Sequence, residues 1–150
     1  MLVKGDPALV NKVCSETSDA KLCSDTLNSD PSTANAATPY DIGLASLTLA
    51  TAKATSTLDM IRRVINQNQV SNSGAYKICD NKYDIAISNL KHMKDAYVNH
   101  DYMDVRLRSL VVFEAIDDCG DAFNPSKPAD IYDDSRYVAI LVIVACNVKL

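Results

Sequence analysis

From Leu47 onward, apolar residues return every three or four positions. Leu47, Ala50, Ala54, Leu58, Ile61 and Ile65 form one stripe, which the polar run Asn66-Gln-Asn-Gln69 breaks off. A stripe of that period predicts an amphipathic helix ending near Asn68. Its start is marked by Thr38-Pro39-Tyr40-Asp41. The Thr38 hydroxyl can cap the first turn, a proline loses nothing at the first helical position, and an acid there meets the unpaired amides. Gln69 to Gly74 reads as a loop. Two further seams follow, Cys79, Tyr83, Ala86, Leu90, Met93, Tyr97 and then Val105, Ser109, Val112, Ile116, Cys119, Phe123, with the polar break Asn99-His100-Asp101 between them. Steps alternating between four and three residues are those of helices packed in a bundle.

The remaining elements are shorter or less periodic. Asp6-Pro7, Ser18-Asp19 and Ser29-Asp30-Pro31 bracket two short helices, one around Cys14 and one around Cys23. After the loop Asn124-Pro-Ser-Lys-Pro128 comes the run Tyr137-Val-Ala-Ile-Leu-Val-Ile-Val-Ala-Cys146. Val138 to Val144 has strand-like composition, but no other segment offers it a partner, so a helix is expected. The run is about half the length that crosses a bilayer. The pattern as a whole predicts an all-α chain forming one domain over 1–150. An N-terminal α-helical hairpin occupies about 6–30 and an up-down-up-down four-helix bundle about 38–150. Neither an internal repeat nor a low-complexity segment interrupts it.

Composition narrows the function more than the fold. Four glycines and five prolines in 150 residues fit long elements with few turns. A formal charge of −4 without any basic stripe argues against nucleic acid as a partner. The opening Met1-Leu-Val-Lys-Gly-Asp carries no secretory leader, which fits a cytosolic protein and a processed secreted one equally. Asn124 is followed by Pro125, so no glycosylation acceptor is usable.

Five cysteines bear on the compartment. Cys79 and Cys119 lie 20 residues either side of position 99, where the polar break independently puts a turn. Antiparallel helices hinged there bring the two level, each about 30 Å from the turn at the helical rise per residue. Cys14 and Cys23 centre on Ser18-Asp19, again a turn. Pairing them this way staples two helical hairpins, stabilising by about 3 kcal/mol for the short loop and about 4 for the long one in the chain-entropy treatment. The alternative is five reduced thiols in a cytosolic protein. The double symmetry favours disulfides and an oxidising compartment. Cys146 is left over as a free thiol within the apolar run, where a buried, inert sulfur is expected.

No reactive constellation accompanies this scaffold. His92 and His100 read as surface histidines, and the acidic groups Asp117, Asp118, Asp121 and Asp130, Asp133, Asp134 lack the spacing of a calcium loop and read as a solvated face. Without a C-x-x-C pair, phosphate loop, nucleophile elbow or dinucleotide fingerprint, neither an enzyme nor a bound metal or cofactor is expected. Tyr83 and Tyr97 belong to the core seam. Tyr40, Tyr76 and Tyr102 read as more exposed, and exposed aromatics at element ends suit contact with a protein. Asp80, Asp84 and Lys91 fall off the seam of their helix and would be free to meet a partner, or else form a solvated face.

Eight residues separate Cys14 from Cys23, and Leu27-Asn-Ser-Asp-Pro-Ser-Thr-Ala34 follows. This stretch resembles the N-terminal signature of the plant pectin methylesterase inhibitor and invertase inhibitor family. Cys79, Tyr83, Ala86, Ile87 and Leu90, the Asp101-Tyr102 turn, and Cys119, Asp121 and Phe123 resemble its core helices. The resemblance implies a four-helix bundle with a hairpin extension, pairing of the first two and second two cysteines, and a free fifth. It also implies a secreted protein of the cell wall, with the vacuole as alternative, that blocks a carbohydrate-active enzyme one to one by covering the active-site cleft. Invertase inhibitors carry Pro-Lys-Phe just after an Asp at the stapled turn, where it enters the sucrose site. Here Tyr102-Met103-Asp104 stands in that place, and the turn is more similar to the esterase-inhibitor branch, in which exposed faces of the middle helices lie over the pectin cleft. Two other departures are Thr38-Pro39 at the start of the long helix and Phe113-Glu114-Ala115 before the fourth cysteine.

The expected partner is therefore a plant pectin methylesterase, with acid invertase as runner-up. Contact is expected through Asp80, Asp84, Lys91, Tyr102, Met103 and Asp104. The protein is expected to act as a monomer, with weak self-association left open. A competing class is a helical carrier, which would need an open apolar cavity between its helices.

Overall fold

A computed structural model describes residues 7–67, 73–124 and 126–148. Among these the chain forms α1 (Pro7–Cys14), α2 (Ala20–Asn28), α3 (Pro31–Ala34), α4 (Pro39–Gln67), α5 (Ser73–Val98), α6 (Tyr102–Asp121) and α7 (Ala129–Asn147). The expected end of the long helix near Asn68, most of the loop after it, the Asp6 boundary and Pro125 lie outside the described residues. Gly74 falls inside α5 rather than in the loop.

The four long helices close a ring: α4 packs against α5 and α7, and α6 completes the ring against the same two. Thr38 caps α4 as its sequence predicts, its hydroxyl accepting from the Asp41 N–H at 3.1 Å. The Thr57 hydroxyl, late in α4, donates to Asp134, early in α7, at 2.8 Å. Pro39 at the start of α4 shares a cleft with Asn147 at the end of α7, so the two run antiparallel. The predicted seams face the centre, with Leu47, Ala50, Ala54, Tyr83, Leu90, Met93, Val105 and Val112 all buried.

Helix α7 shows why Val138 to Val144 lacks helical periodicity. It packs against α4 and α6 on one side and against α1 and α2 on the other. A helix covered nearly all round needs no polar face, and Val138, Ile140, Leu141, Val142 and Val144 are all buried.

The N-terminal hairpin is clamped by Cys14–Cys23, Cα to Cα 5.6 Å. Asp19 accepts from the Leu22 N–H at 3.0 Å to cap α2, and its carboxylate reaches Arg136 of α7 at 3.6 Å. The third short helix, α3, goes beyond the expected pair. It starts on Asp30, which caps Ser32 N–H at 2.8 Å, and is fixed by the buried Thr33 hydroxyl donating to the Leu27 carbonyl.

Two readings of exposure are corrected. Tyr76 is buried, edge to face with Phe123 at 4.9 Å between centroids, because it stands three residues before Cys79 and shares the core seam. The aspartates of the C-terminal half are not uniformly solvated either: Asp118 pairs with Lys82 at 3.0 Å and Asp134 with Lys53 at 3.5 Å.

Burial raises the Tyr83 phenol to about 12, against a hydrogen bond with Ser135 that lowers it and the Asp134 charge that raises it further. The hydroxyls of Tyr83 and Ser135 are 2.6 Å apart and tie α5 to α7. A phenol whose pKa is raised by folding stabilises the fold fully below its unfolded value near 10 and loses that contribution as pH climbs through about 12. Urea midpoints are expected to fall as pH climbs from about 10 toward 12. Tyr83→Phe should flatten that fall in urea titrations taken across the range.

Candidate functional site

Helices α5 and α6 form a hairpin held at both ends. At one end Cys79–Cys119 brings the backbones to 4.5 Å, Cα to Cα. At the other, α5 stops because His100 adopts the left-handed conformation at φ 59°. The Asp101 N–H then bonds to the Ala96 carbonyl at 2.9 Å and the His100 N–H to the Tyr97 carbonyl at 3.1 Å. This is the Schellman arrangement, usually built on glycine. Histidine tolerates the conformation better than most residues, and here its ring has contacts of its own. His100 Nδ1 lies 2.8 Å from the Tyr102 hydroxyl, and the ring lies 5.8 Å from that of Tyr40. Asp101 next caps α6 by accepting from the Asp104 N–H at 3.2 Å.

Tyr97 locks this end to the start of α4. Its hydroxyl donates to the Tyr40 carbonyl at 2.9 Å, and the two rings stack at 5.0 Å. Burial first, then the neighbouring Tyr102, Tyr40 and Asp41, push its pKa far above the ordinary phenol value. The ring fits because position 43 is glycine: a Cβ there would collide with the Tyr97 hydroxyl. Tyr40 is thus half-buried in this cluster rather than standing free.

The six residues expected to meet a partner are not gathered into one patch. Asp80 sits by the disulfide, half-buried, and pairs with Arg62 of α4 at 3.2 Å. That pairing corrects its reading as a free carboxylate. Asp84 and Lys91 are exposed on α5. Tyr102, Met103 and Asp104 open α6 at the opposite end, about 30 Å from Asp80 along the hairpin. Tyr102 is tied to His100, while Asp104 pairs with Arg108 at 3.4 Å and Arg108 also donates to Asn89 of α5 at 3.3 Å. Of these three Met103 stands most exposed, at 75%.

What stands beside Met103 was not among the sequence candidates. Leu107, Leu110 and Val111 are exposed as well, and with Met103 they follow at steps of four, three and one, on the face of α6 turned away from its core seam. Val111 shares a shallow cleft with Ile85 of α5, between which and the turn lies the Arg108–Asn89 bridge. Apolar side chains are thus exposed along the outer face of α6 and at its border with α5. Their sequence signal was an excess of apolar residues on α6 beyond those the seam needs.

Among the described residues no group of three or more His, Cys, Asp or Glu is placed to hold a metal ion. None of the described helices is long and apolar enough to cross a membrane. Cys14, Cys23, Cys79 and Cys119 are all bonded, and Cys146 carries the free thiol. It is half-buried rather than fully enclosed, and burial raises its pKa against the opposing influence of Ser109 and Arg106.

With this geometry established, the chain matches the family model described as plant invertase/pectin methylesterase inhibitor over residues 8–146. A pectinesterase inhibitor from Actinidia deliciosa is 28% identical over 133 residues, covering 87% of this chain and 71% of that one. The crystal structure of a mutant form of a pectin methylesterase inhibitor from Arabidopsis superposes with a TM-score of 0.80 over 93% of each chain at 22% identity. A second, from Arabidopsis thaliana, gives 0.69 over 94% of this chain and 93% of that chain at 21% identity. These likenesses bear on the fold and agree with the stapled bundle described above.

Gly43→Ala is expected to destabilise the protein by about 1–3 kcal/mol through the collision with Tyr97. Part of that loss should be recovered when Tyr97→Phe removes the nearest atom. A double-mutant cycle from chemical denaturation measures the coupling, and strict additivity would contradict this packing account.

Proposed function

Because the chain belongs to the plant invertase/pectin methylesterase inhibitor family, we propose that it is a noncatalytic inhibitor of pectin methylesterase. A single molecule binds the enzyme one to one and lays the outer face of α5 and α6 over the active-site cleft. The observation that carries this reading is the apolar stripe Met103, Leu107, Leu110 and Val111, exposed on a hairpin that is fixed at both ends. Exposed, contiguous apolar side chains on a rigid support mark protein-contact sites, since they bind without a large ordering cost. The pectinesterase inhibitor named for its relative points to the same class of target. Its place of action is the cell wall, where disulfides persist.

The turn supports the esterase over the invertase. Tyr102 is held by His100 and Asp104 by Arg108, so this stretch presents an aromatic hydroxyl and a neutralised acid rather than a free cation. The carrier reading finds no support in the core, where the seam positions interlock and are buried.

Titration of the purified protein against a plant pectin methylesterase and an acid invertase decides between the targets, with saturation of the esterase at one equivalent expected. Leu107→Asp should weaken that inhibition by about 30-fold, the effect of losing a central anchor residue, with helicity and urea stability unchanged. Inhibition of neither enzyme, or a Leu107→Asp variant of full potency, would remove the reading. Replacing the turn by Tyr102→Pro, Met103→Lys and Asp104→Phe should shift binding toward invertase. The first of these falls at the first position of α6, where proline is compatible with a helix.

A further inference from the structure

Along the first turns of α6, where it meets the last turn of α7, lies an open groove of about 640 Å³. That volume is within the range of small-ligand sites. One wall is apolar, formed by Met103, Leu107 and Leu110; the other is the end of α7, with Cys146 and the exposed Asn147. Among the described residues that line it, Arg106 is the one cationic side chain. Two residues away Arg108 is committed to Asp104 and Asn89. For Arg106, by contrast, no carboxylate of the described residues lies within ion-pair distance. The buried Ser109 hydroxyl at the groove donates to the Arg106 carbonyl at 2.6 Å. The groove therefore combines an apolar wall, one uncommitted cation and no carboxylate among its lining residues.

We propose that this groove binds a small amphipathic anion, an aromatic or branched aliphatic carboxylate. Its apolar body lies along Met103, Leu107 and Leu110, and its carboxylate meets Arg106. A planar guanidinium offers paired donors matched to the two oxygens of a carboxylate. The apolar wall supplies burial that a simple inorganic anion cannot use. Met103, Leu107 and Leu110 also belong to the proposed docking face, so a bound ligand competes with the target enzyme. That competition rests on the proposed function; the binding itself does not.

The test uses the whole protein and two probes, the anionic 1-anilinonaphthalene-8-sulfonate and the neutral N-phenyl-1-naphthylamine. The sulfonate should show one saturable site by fluorescence. Arg106→Gln should weaken it about tenfold, as expected for a lost charge-assisted contact, while changing the neutral probe by less than about twofold. Location is read on the wild-type chain: Cys146 carries the one unbonded thiol among the five cysteines, and the sulfonate should slow its alkylation by iodoacetamide, followed by mass spectrometry. A sulfonate that fails to saturate, is indifferent to Arg106→Gln, or leaves Cys146 alkylation unchanged overturns the site. If it protects Cys146 while a pectin methylesterase is inhibited as strongly with it as without it, the shared use of the groove is overturned and the site stands.

Discussion

The covalent bond between Cys79 and Cys119 is the constraint on which the rest of the molecule depends. It fixes the register of α5 against α6, with the left-handed turn at His100 closing the opposite end. Once both ends are set, the residues between have no freedom to slide. The Lys82–Asp118 and Arg108–Asn89 contacts across the pair fall into place as a consequence. They are partly exposed polar contacts and add little energy individually. Their effect is to fill the edges of the hairpin with matched groups and leave the outward face of α6 apolar.

That division of labour explains which parts of the molecule were legible in the sequence. The core seams, the Thr38 cap and the two hinge points are local patterns, because each depends on spacing within one helix or across one turn. Cysteine symmetry about position 99 carried the pairing of the middle hairpin for the same reason. Tyr76 stands three residues before Cys79 and so shares the seam's period, even though it lies near the start of α5. The strand-like run in α7 was resolved only by the absence of a partner, and its burial by two layers of helices shows why periodicity failed there.

The candidate site was less legible, and the cause is again physical. Asp80 is engaged by Arg62, a residue on a different helix, and nothing in the linear order announces that contact. Asp104 is engaged one turn along its own helix, which the spacing to Arg108 did allow. The stripe on α6 is hard to recognise in the linear order because the core seam accounts for one apolar face of a helix, and α6 has two. A second apolar face on a helix at the edge of a bundle has no role in folding, so a surplus of that kind is itself the signal of an external contact. Resemblance to a known family supplied the proposed class of partner, and the packing shows which apolar face of α6 is left uncovered.

The stapled hairpin also bears on how the molecule ages. The stretch Asn99-His100-Asp101 is exposed, and exposed turns are where proteases cut. The covalent ring from Cys79 to Cys119 contains that turn. One severed peptide bond there leaves a single molecule whose two halves remain joined, with α4, α5, α6 and α7 still packed about the same core. Durability of this kind suits a protein working outside the cell, where damaged chains are not rebuilt.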